Sequence, residues 1–200
     1  MMGEVCGTNI ARSAMALTPT TSIPLGFQAP SFTLPDARTG EALDSGELMQ
    51  AGPSVVVFMC NHCPFVVHLV DSLVDFAAEY QARGLNFIAI SSNDVKNYPQ
   101  DGFEQMRELA TEKDFTFPYL YDESQDVARS YDAACTPDFS VFDANGKCVY
   151  RGQYDGSRPS NDIPVNGEDL RRVCDALLAG ESVPAEGQVP SIGCNIKWKS

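Results

Sequence analysis

The chain has 200 residues, with 14 Lys and Arg against 27 Asp and Glu, for a formal charge of −13. That length supports one domain with a full core and short extensions, while the negative charge repels phosphate backbones and anionic lipid, which excludes nucleic acid and membrane surfaces as partners. No stretch reaches the roughly 20 apolar residues of a membrane span, and Met1 to Ala16 lacks the compact apolar run of a signal peptide, so the cytoplasm is the expected compartment.

Residues 1–28, rich in Ser, Thr, Pro and Gly, show no sustained periodicity and are expected to form an N-terminal arm. From Ala29 the pattern changes: Pro30-Ser31-Phe32-Thr33-Leu34 alternates apolar with polar and reads as a short edge strand. Ser54-Val55-Val56-Val57-Phe58-Met59 is a continuous β-branched and aromatic run, as in a strand covered on both faces. Cys60-Asn61-His62-Cys63-Pro64 follows directly. Phe65, Leu69, Ser72, Leu73, Phe76 and Tyr80 then fall on one helical face, with Pro64 suited to a first turn and Gly84 to a stop. Leu85 to Ile90 reads as a second buried strand, 102–113 as a helix, Tyr119 to Tyr121 as a strand and 124–131 as another helical segment. Phe139 to Phe142 and Cys148 to Arg151 flank Asn145-Gly146, a strong hairpin signal. Leu170, Val173, Cys174, Leu177 and Leu178 mark a last amphipathic helix closed by Gly180.

The order β, α, β, α, then a β-hairpin and an α-helix, with right-handed crossovers, is the arrangement of the thioredoxin fold. The expected architecture is therefore α/β, a central mixed sheet flanked by helices over residues 29–180, with a C-terminal extension at 181–200 that reads as an extended wrap.

The seven cysteines are Cys6, Cys60, Cys63, Cys135, Cys148, Cys174 and Cys194. A reducing cytoplasm disfavours a structural disulfide framework, so some are expected to work and most to pack. Cys60 and Cys63 follow a buried strand and open a helix, where first-turn N–H groups and the helix dipole stabilise a thiolate. Two intervening residues let the sulfurs close a disulfide, so one thiol attacks and the other releases. Cys60 is expected to be the more exposed, attacking thiol and Cys63 the sheltered, resolving one. His62 is placed to favour the thiolate or to shuttle a proton. A metal site is the alternative, drawing on Cys60, His62, Cys63 and His68, although His68 is expected to project to another side of the helix as a half-buried residue. Thr136-Pro137 is a candidate cis bond that aims the Thr136 backbone at the dithiol, and Cys135 beside it is a third redox thiol, a tuning neighbour or filler. Cys148 and Cys174 fit the core. Cys6 and Cys194, in the extensions, are open to a resolving or intermolecular role.

Several stretches resemble the alkyl hydroperoxide reductase and thiol-specific antioxidant branch of the thioredoxin superfamily, the peroxiredoxin-like proteins. They are Gly26 to Asp36, Met59-Cys60-Asn61-His62-Cys63-Pro64-Phe65, Ser92-Asn93-Asp94-Val95, Cys135-Thr136-Pro137-Asp138-Phe139, Tyr150-Arg151-Gly152 and Gly193 to Lys199. The resemblance runs from Gly26 to Lys199 and implies the thioredoxin fold. In true peroxiredoxins the peroxide-reducing cysteine ends a Thr-x-x-Cys motif. Laid on this sequence, Cys60 takes the place of the Thr and Cys63 that of the peroxidatic Cys. The Arg that those enzymes hold near the hairpin strand is replaced by Cys135-Thr136-Pro137, as in thioredoxins. With the Cys-x-x-Cys and Thr-Pro in place, a thiol-disulfide oxidoreductase is expected and the resemblance supplies a thiol peroxidase as the second reading, while the residues themselves leave a Cys/His metal-binding or redox-sensing module as the third. Asn61, His62, Pro64, Cys135, Thr136 and Pro137 are expected to shape and tune the substrate groove. No cofactor is expected. The partners are a disulfide or hydroperoxide substrate and a thiol electron donor, with the chain a monomer or homodimer.

Overall fold

The computed structural model describes residues 17–21, 24–50 and 52–200, so Cys6 lies outside the described residues. In chain order the elements are β1 (Leu17–Pro19), β2 (Thr33–Pro35), β3 (Ala42–Asp44), α1 (Ser45–Leu48), β4 (Ser54–Phe58), α2 (Pro64–Gln81), β5 (Asn86–Ser91), a 3-10 turn (Pro99–Asp101), α3 (Phe103–Glu112), β6 (Tyr119–Tyr121), α4 (Asp126–Ser130), β7 (Cys135–Thr136), β8 (Asp138–Phe142), β9 (Cys148–Gly152), α5 (Glu168–Leu178) and β10 (Ile192–Asn195).

The central sheet runs β6-β5-β4-β8-β9. β4 lies in its middle, parallel to β5 with Val56 opposite Ile88 and antiparallel to β8 with Val56 opposite Ser140. The apolar run that forms β4 serves both faces by alternation. Val55, Val57 and Met59 join the core under α2, while Val56 and Phe58 join a second core with Phe32, Leu34, Ile88 and Tyr131. The Asn145-Gly146 turn closes the β8–β9 hairpin, with Gly146 at φ +73°, the left-handed region where glycine avoids a Cβ clash.

α2 starts at Pro64, whose missing N–H falls where no intrahelical partner exists. It buries Val66, Leu69, Val70, Leu73, Phe76, Ala77 and Tyr80 against β4 and β5. Phe76 stacks on Tyr80 at 4.3 Å and meets Phe87 and Tyr154 edge-on. Burying such a ring contributes about 1.5–3 kcal/mol. The helix therefore holds its first turn firmly over the end of β4, where the dithiol emerges.

The two ends of the chain differ from the expected arm and wrap. β1 and β10 pair antiparallel, and β10 pairs in turn with β7, giving a second sheet of order β1-β10-β7. Both strands are short and carry Pro19 or Gly193, residues that propensity assigns away from strands, so only the long-range pairing makes them visible. β3 and α1 likewise lacked a sequence signal. β3 pairs with β2, and Asp44 Oδ1 caps α1 by accepting from the Gly46 N–H at 2.8 Å.

Candidate active site: three thiols at the head of a helix

β4 ends at Phe58 and the ladder continues one step, with the Met59 N–H donating to the Ile90 carbonyl at 2.9 Å. The chain then turns through Cys60-Asn61-His62, and Cys63 becomes the N-cap of α2, with φ −68° and ψ 121°. An N-cap side chain faces the free N–H groups of the first turn. The Cys63 sulfur sits beside that turn without capping it through a side-chain hydrogen bond. Its Sγ lies 3.0 Å from Cys194 Sγ and 3.0 Å from the Thr136 carbonyl oxygen. Cys60 Sγ lies 3.6 Å from the Thr136 hydroxyl and 3.9 Å from His62 Nδ1. The Thr136-Pro137 bond is cis, as expected.

These contacts assign different ionisation to the three thiols. The Cys194 thiol, then the Cys60 thiol, hold Cys63 well below the ordinary cysteine range, against the opposing effect of burial. The Thr136 carbonyl, which accepts the Cys63 thiol hydrogen at 3.0 Å, favours the protonated form and opposes that shift. Cys60 moves the other way, pushed up by its hydrogen bond to Cys63, by burial and by the Asp101 charge. Cys194 is raised as well, first by its hydrogen bond to Cys63 and then by burial.

Exposure does not separate the two thiols, since Cys60 is 1% and Cys63 0% exposed. Cys63 is the one pushed toward ionisation, first by Cys194 and then by Cys60, and it also stands at the N-terminal end of α2. His62 does not serve Cys63. Its Nδ1 donates to Asp101 Oδ2 at 2.6 Å, and its ring stacks on Tyr98 at 5.4 Å. Asn61 turns away from the groove, its Oδ1 accepting from the Tyr119 hydroxyl at 2.9 Å and its Nδ2 donating to the Gln100 carbonyl.

Asp101, at the end of the 3-10 turn, organises this side of the site and carried no sequence signal. It is fully buried and accepts from the N–H groups of Asn61 and His62, from His62 Nδ1 and from Asn93 Nδ2. A buried carboxylate needs such partners to remain charged. Its partners Asn61, His62 and Asn93 all lay within stretches singled out from sequence, whereas Asp101 itself did not.

The alternative metal set is not assembled. His68 lines a separate small cavity with Phe65, Pro137 and Arg158, and its buried Nε2 has no hydrogen-bond partner. Cys60, His62 and Asp101 do bring one ligand atom each within 4.8 Å of one another. The 2.6 Å hydrogen bond between His62 and Asp101 occupies the two of those ligands that an ion would need.

The other cysteines stand apart. Cys135 donates to the Pro137 carbonyl at 3.5 Å, and burial, then the Asp138 charge, push its thiol up. Burial pushes Cys148 up to about 12 and raises Cys174. All three are buried. Arg151, the arginine nearest the hairpin, spends its guanidinium on the Tyr131 and Asp132 carbonyls, and Asp138 lies 4.0 Å away.

Residues 24–166 match the Redoxin family, well over half of the chain. The chain belongs to the Redoxin family. This Redoxin is similar to an uncharacterized conserved protein from Geobacillus kaustophilus, at 51% identity and TM-score 0.90 over 92% of this chain and 97% of that one. It is also similar to a hypothetical protein from Sinorhizobium meliloti, at 44% identity and TM-score 0.89 over 92% and 99%. A secreted Mycobacterium tuberculosis disulfide oxidoreductase homologous to Escherichia coli DsbE shares 22% identity and TM-score 0.56 over 73% and 96%, a likeness of fold alone. No curated protein matches the chain in sequence. As a Redoxin it is a thiol-dependent oxidoreductase in class, with the thioredoxin fold. No helix among the described residues is long and apolar enough to cross a membrane.

Proposed function

We propose that this Redoxin is a thiol-disulfide oxidoreductase whose working pair is Cys63 and Cys60. The observation that carries this reading is the placement of two thiols around one residue: Cys63 at the N-cap of α2 and Cys60 three residues upstream, just past the end of β4, both reach Thr136, at 3.0 Å and 3.6 Å. The Cys63 thiolate attacks one sulfur of a substrate disulfide, and the other substrate sulfur leaves and takes a proton. The Cys60 sulfur then attacks Cys63 in the mixed disulfide. The bond from Cys63 to substrate breaks, the substrate departs as a thiol carrying the Cys60 proton, and a Cys60–Cys63 disulfide remains. A thiol donor restores the pair by the reverse exchange. Thr136 lies against both sulfurs, its carbonyl oxygen 3.0 Å from Cys63 Sγ and its hydroxyl 3.6 Å from Cys60 Sγ. The cytoplasm is the compartment that fits a dithiol in need of steady re-reduction.

A redox titration with alkylation of the quenched protein tests this reading. A Cys60–Cys63 disulfide that forms and breaks reversibly with a dithiol buffer is expected, and a pair that stays reduced at every potential sinks it. Cys60→Ser is expected to accumulate a mixed disulfide at Cys63, and Cys63→Ser to form none.

Hydroperoxide reduction is the second reading, favoured by the place of Cys63, which the resemblance makes that of the peroxidatic cysteine, and by the push toward ionisation that Cys194 gives it. Arg151 is committed to backbone carbonyls and Asp138, which leaves it no part in holding a peroxide at Cys63. Stoichiometric thiol loss within seconds of adding hydrogen peroxide, abolished by Cys63→Ser, would move the assignment to this chemistry.

A further inference from the structure

Resting on the dithiol reading above, we propose that Cys194 is a third redox-active thiol, and that Cys63 is shared between two alternative disulfides, Cys60–Cys63 and Cys63–Cys194. Cys63 and Cys194 are separated by 131 positions, yet their sulfurs are 3.0 Å apart. Bringing two sulfurs together from so far along the chain requires the fold to place both backbones, and it does so from both sides. Cys63 is fixed by α2. Cys194 is fixed in β10, opposite Leu17 on one side and Thr136 on the other.

Close approach of β10 depends on the residue before the cysteine. A Cβ at position 193 would overlap the Thr136 carbonyl oxygen, and would come within 2.7 Å of the Thr136 carbonyl carbon. Glycine therefore lets β10 press onto the Thr136-Pro137 segment, and Cys194 follows it to Cys63. Beyond Cys194 the chain stays anchored. The Ile196 N–H donates to the Ala134 carbonyl, the Lys197 N–H to Asn93 Oδ1, and Gln125 Nε2 to the Lys197 carbonyl, while Arg129 lies 4.5 Å above the Trp198 ring. A substrate strand seeking the Thr136 backbone finds the edge already taken by β10. Cys194 thus stands beside Cys63 as an internal exchange partner.

The exchange is balanced within the chain. In the oxidised protein the Cys194 sulfur attacks Cys63 in the Cys60–Cys63 disulfide. The bond between Cys63 and Cys194 forms, the bond between Cys60 and Cys63 breaks, and Cys60 leaves with the proton that Cys194 gave up. No electrons enter or leave.

Disulfide mapping of the full-length protein tests this. Reduced wild type is oxidised with oxidised dithiothreitol, quenched in acid, alkylated and digested with trypsin. Cys60 and Cys63 share the peptide 39–83, whereas Cys194 lies in 173–197 together with Cys174. A link between the two peptides, assigned by fragmentation to Cys63 and Cys194, is the expected result, together with an intrapeptide Cys60–Cys63 link. In Cys60→Ser the Cys63–Cys194 link is expected to become the main product. In Gly193→Ala it is expected to fall by about tenfold while the Cys60–Cys63 link persists, because a shifted strand misplaces one sulfur only. The inference is overturned if the Cys60–Cys63 disulfide forms in wild type and in Cys194→Ser while no Cys63–Cys194 link appears in wild type or Cys60→Ser. A link from Cys194 to Cys60 or a link through Cys174 overturns it equally. Absence of the Cys60–Cys63 disulfide in wild type and Cys194→Ser alike would instead count against the dithiol reading, and Cys60→Ser would still decide the Cys63–Cys194 pairing on its own.

Discussion

Cys63 and Cys60 are two residues from one motif, yet their surroundings drive them apart. Cys63 lies 3.0 Å from the Cys194 sulfur, which pushes its ionisation down, whereas the hydrogen bond to Cys63, burial and the Asp101 charge push Cys60 up. A free cysteine, with a pKa of about 8.5, loses about tenfold in thiolate for each pH unit below that value. Cys63, held well below that range, stays ionised through mild acid, so its reactivity is expected to be flat where a free cysteine's falls steeply. The sign for stability follows from the same shift. A lowered folded-state pKa stabilises the reduced protein above the unfolded value, and that contribution fades as pH falls toward the folded one. Asp101 is the second residue with a defined consequence. Asp101→Ala strands the Asn61 and His62 N–H groups and Asn93 Nδ2 in a buried site, so a loss of about 3 kcal/mol in urea unfolding is expected. The dithiol and the cis Thr136-Pro137 were legible because short motifs carry a local address, at a strand end and before a hairpin. Asp101 was not, since its role is set by donors from positions 61, 62 and 93 that only the tertiary fold gathers.

At the scale of elements, the central sheet and α2 were readable from periodicity. β4 had an unbroken apolar run and α2 a stripe ending before Gly84, and both appear within a residue or two of the expected bounds. The β1-β10-β7 sheet was hidden, because strands of two to four residues carrying Pro or Gly leave no period to detect. That hidden sheet brings Cys194 to the site. The overlap described for a Cβ at position 193 predicts that Gly193→Ala costs about 1–3 kcal/mol in the reduced protein, by forcing β10 off the Thr136 carbonyl. Thermal or urea unfolding of reduced samples measures it, and an unchanged midpoint would mean that β10 does not press on that segment.

Across the whole molecule the formal charge of −13 sets the approach of small partners. Like-charged substrates are slowed and oppositely charged ones accelerated, over a screening length of about 8 Å at physiological salt. Reduced protein is expected to react faster with cystamine, a dication, than with the anionic oxidised glutathione at low salt. The ratio is expected to shrink as salt rises, and a ratio independent of salt would show that local groups, not the net field, govern access. Strand, turn and helix were placed from sequence, but which sulfur stands nearest the first turn depends on the residue that precedes α2, and that residue is Cys63, the N-cap before Pro64.

The most direct measurement is competitive alkylation of the fully reduced protein with limiting iodoacetamide at about pH 5, with each modified cysteine assigned by mass spectrometry and its rate followed up to about pH 8. Cys63 modified first, at a rate nearly constant across that range, is the expected result. Cys60 modified first, or Cys63 slowing about tenfold for each unit of falling pH as an ordinary thiol does, would contradict it.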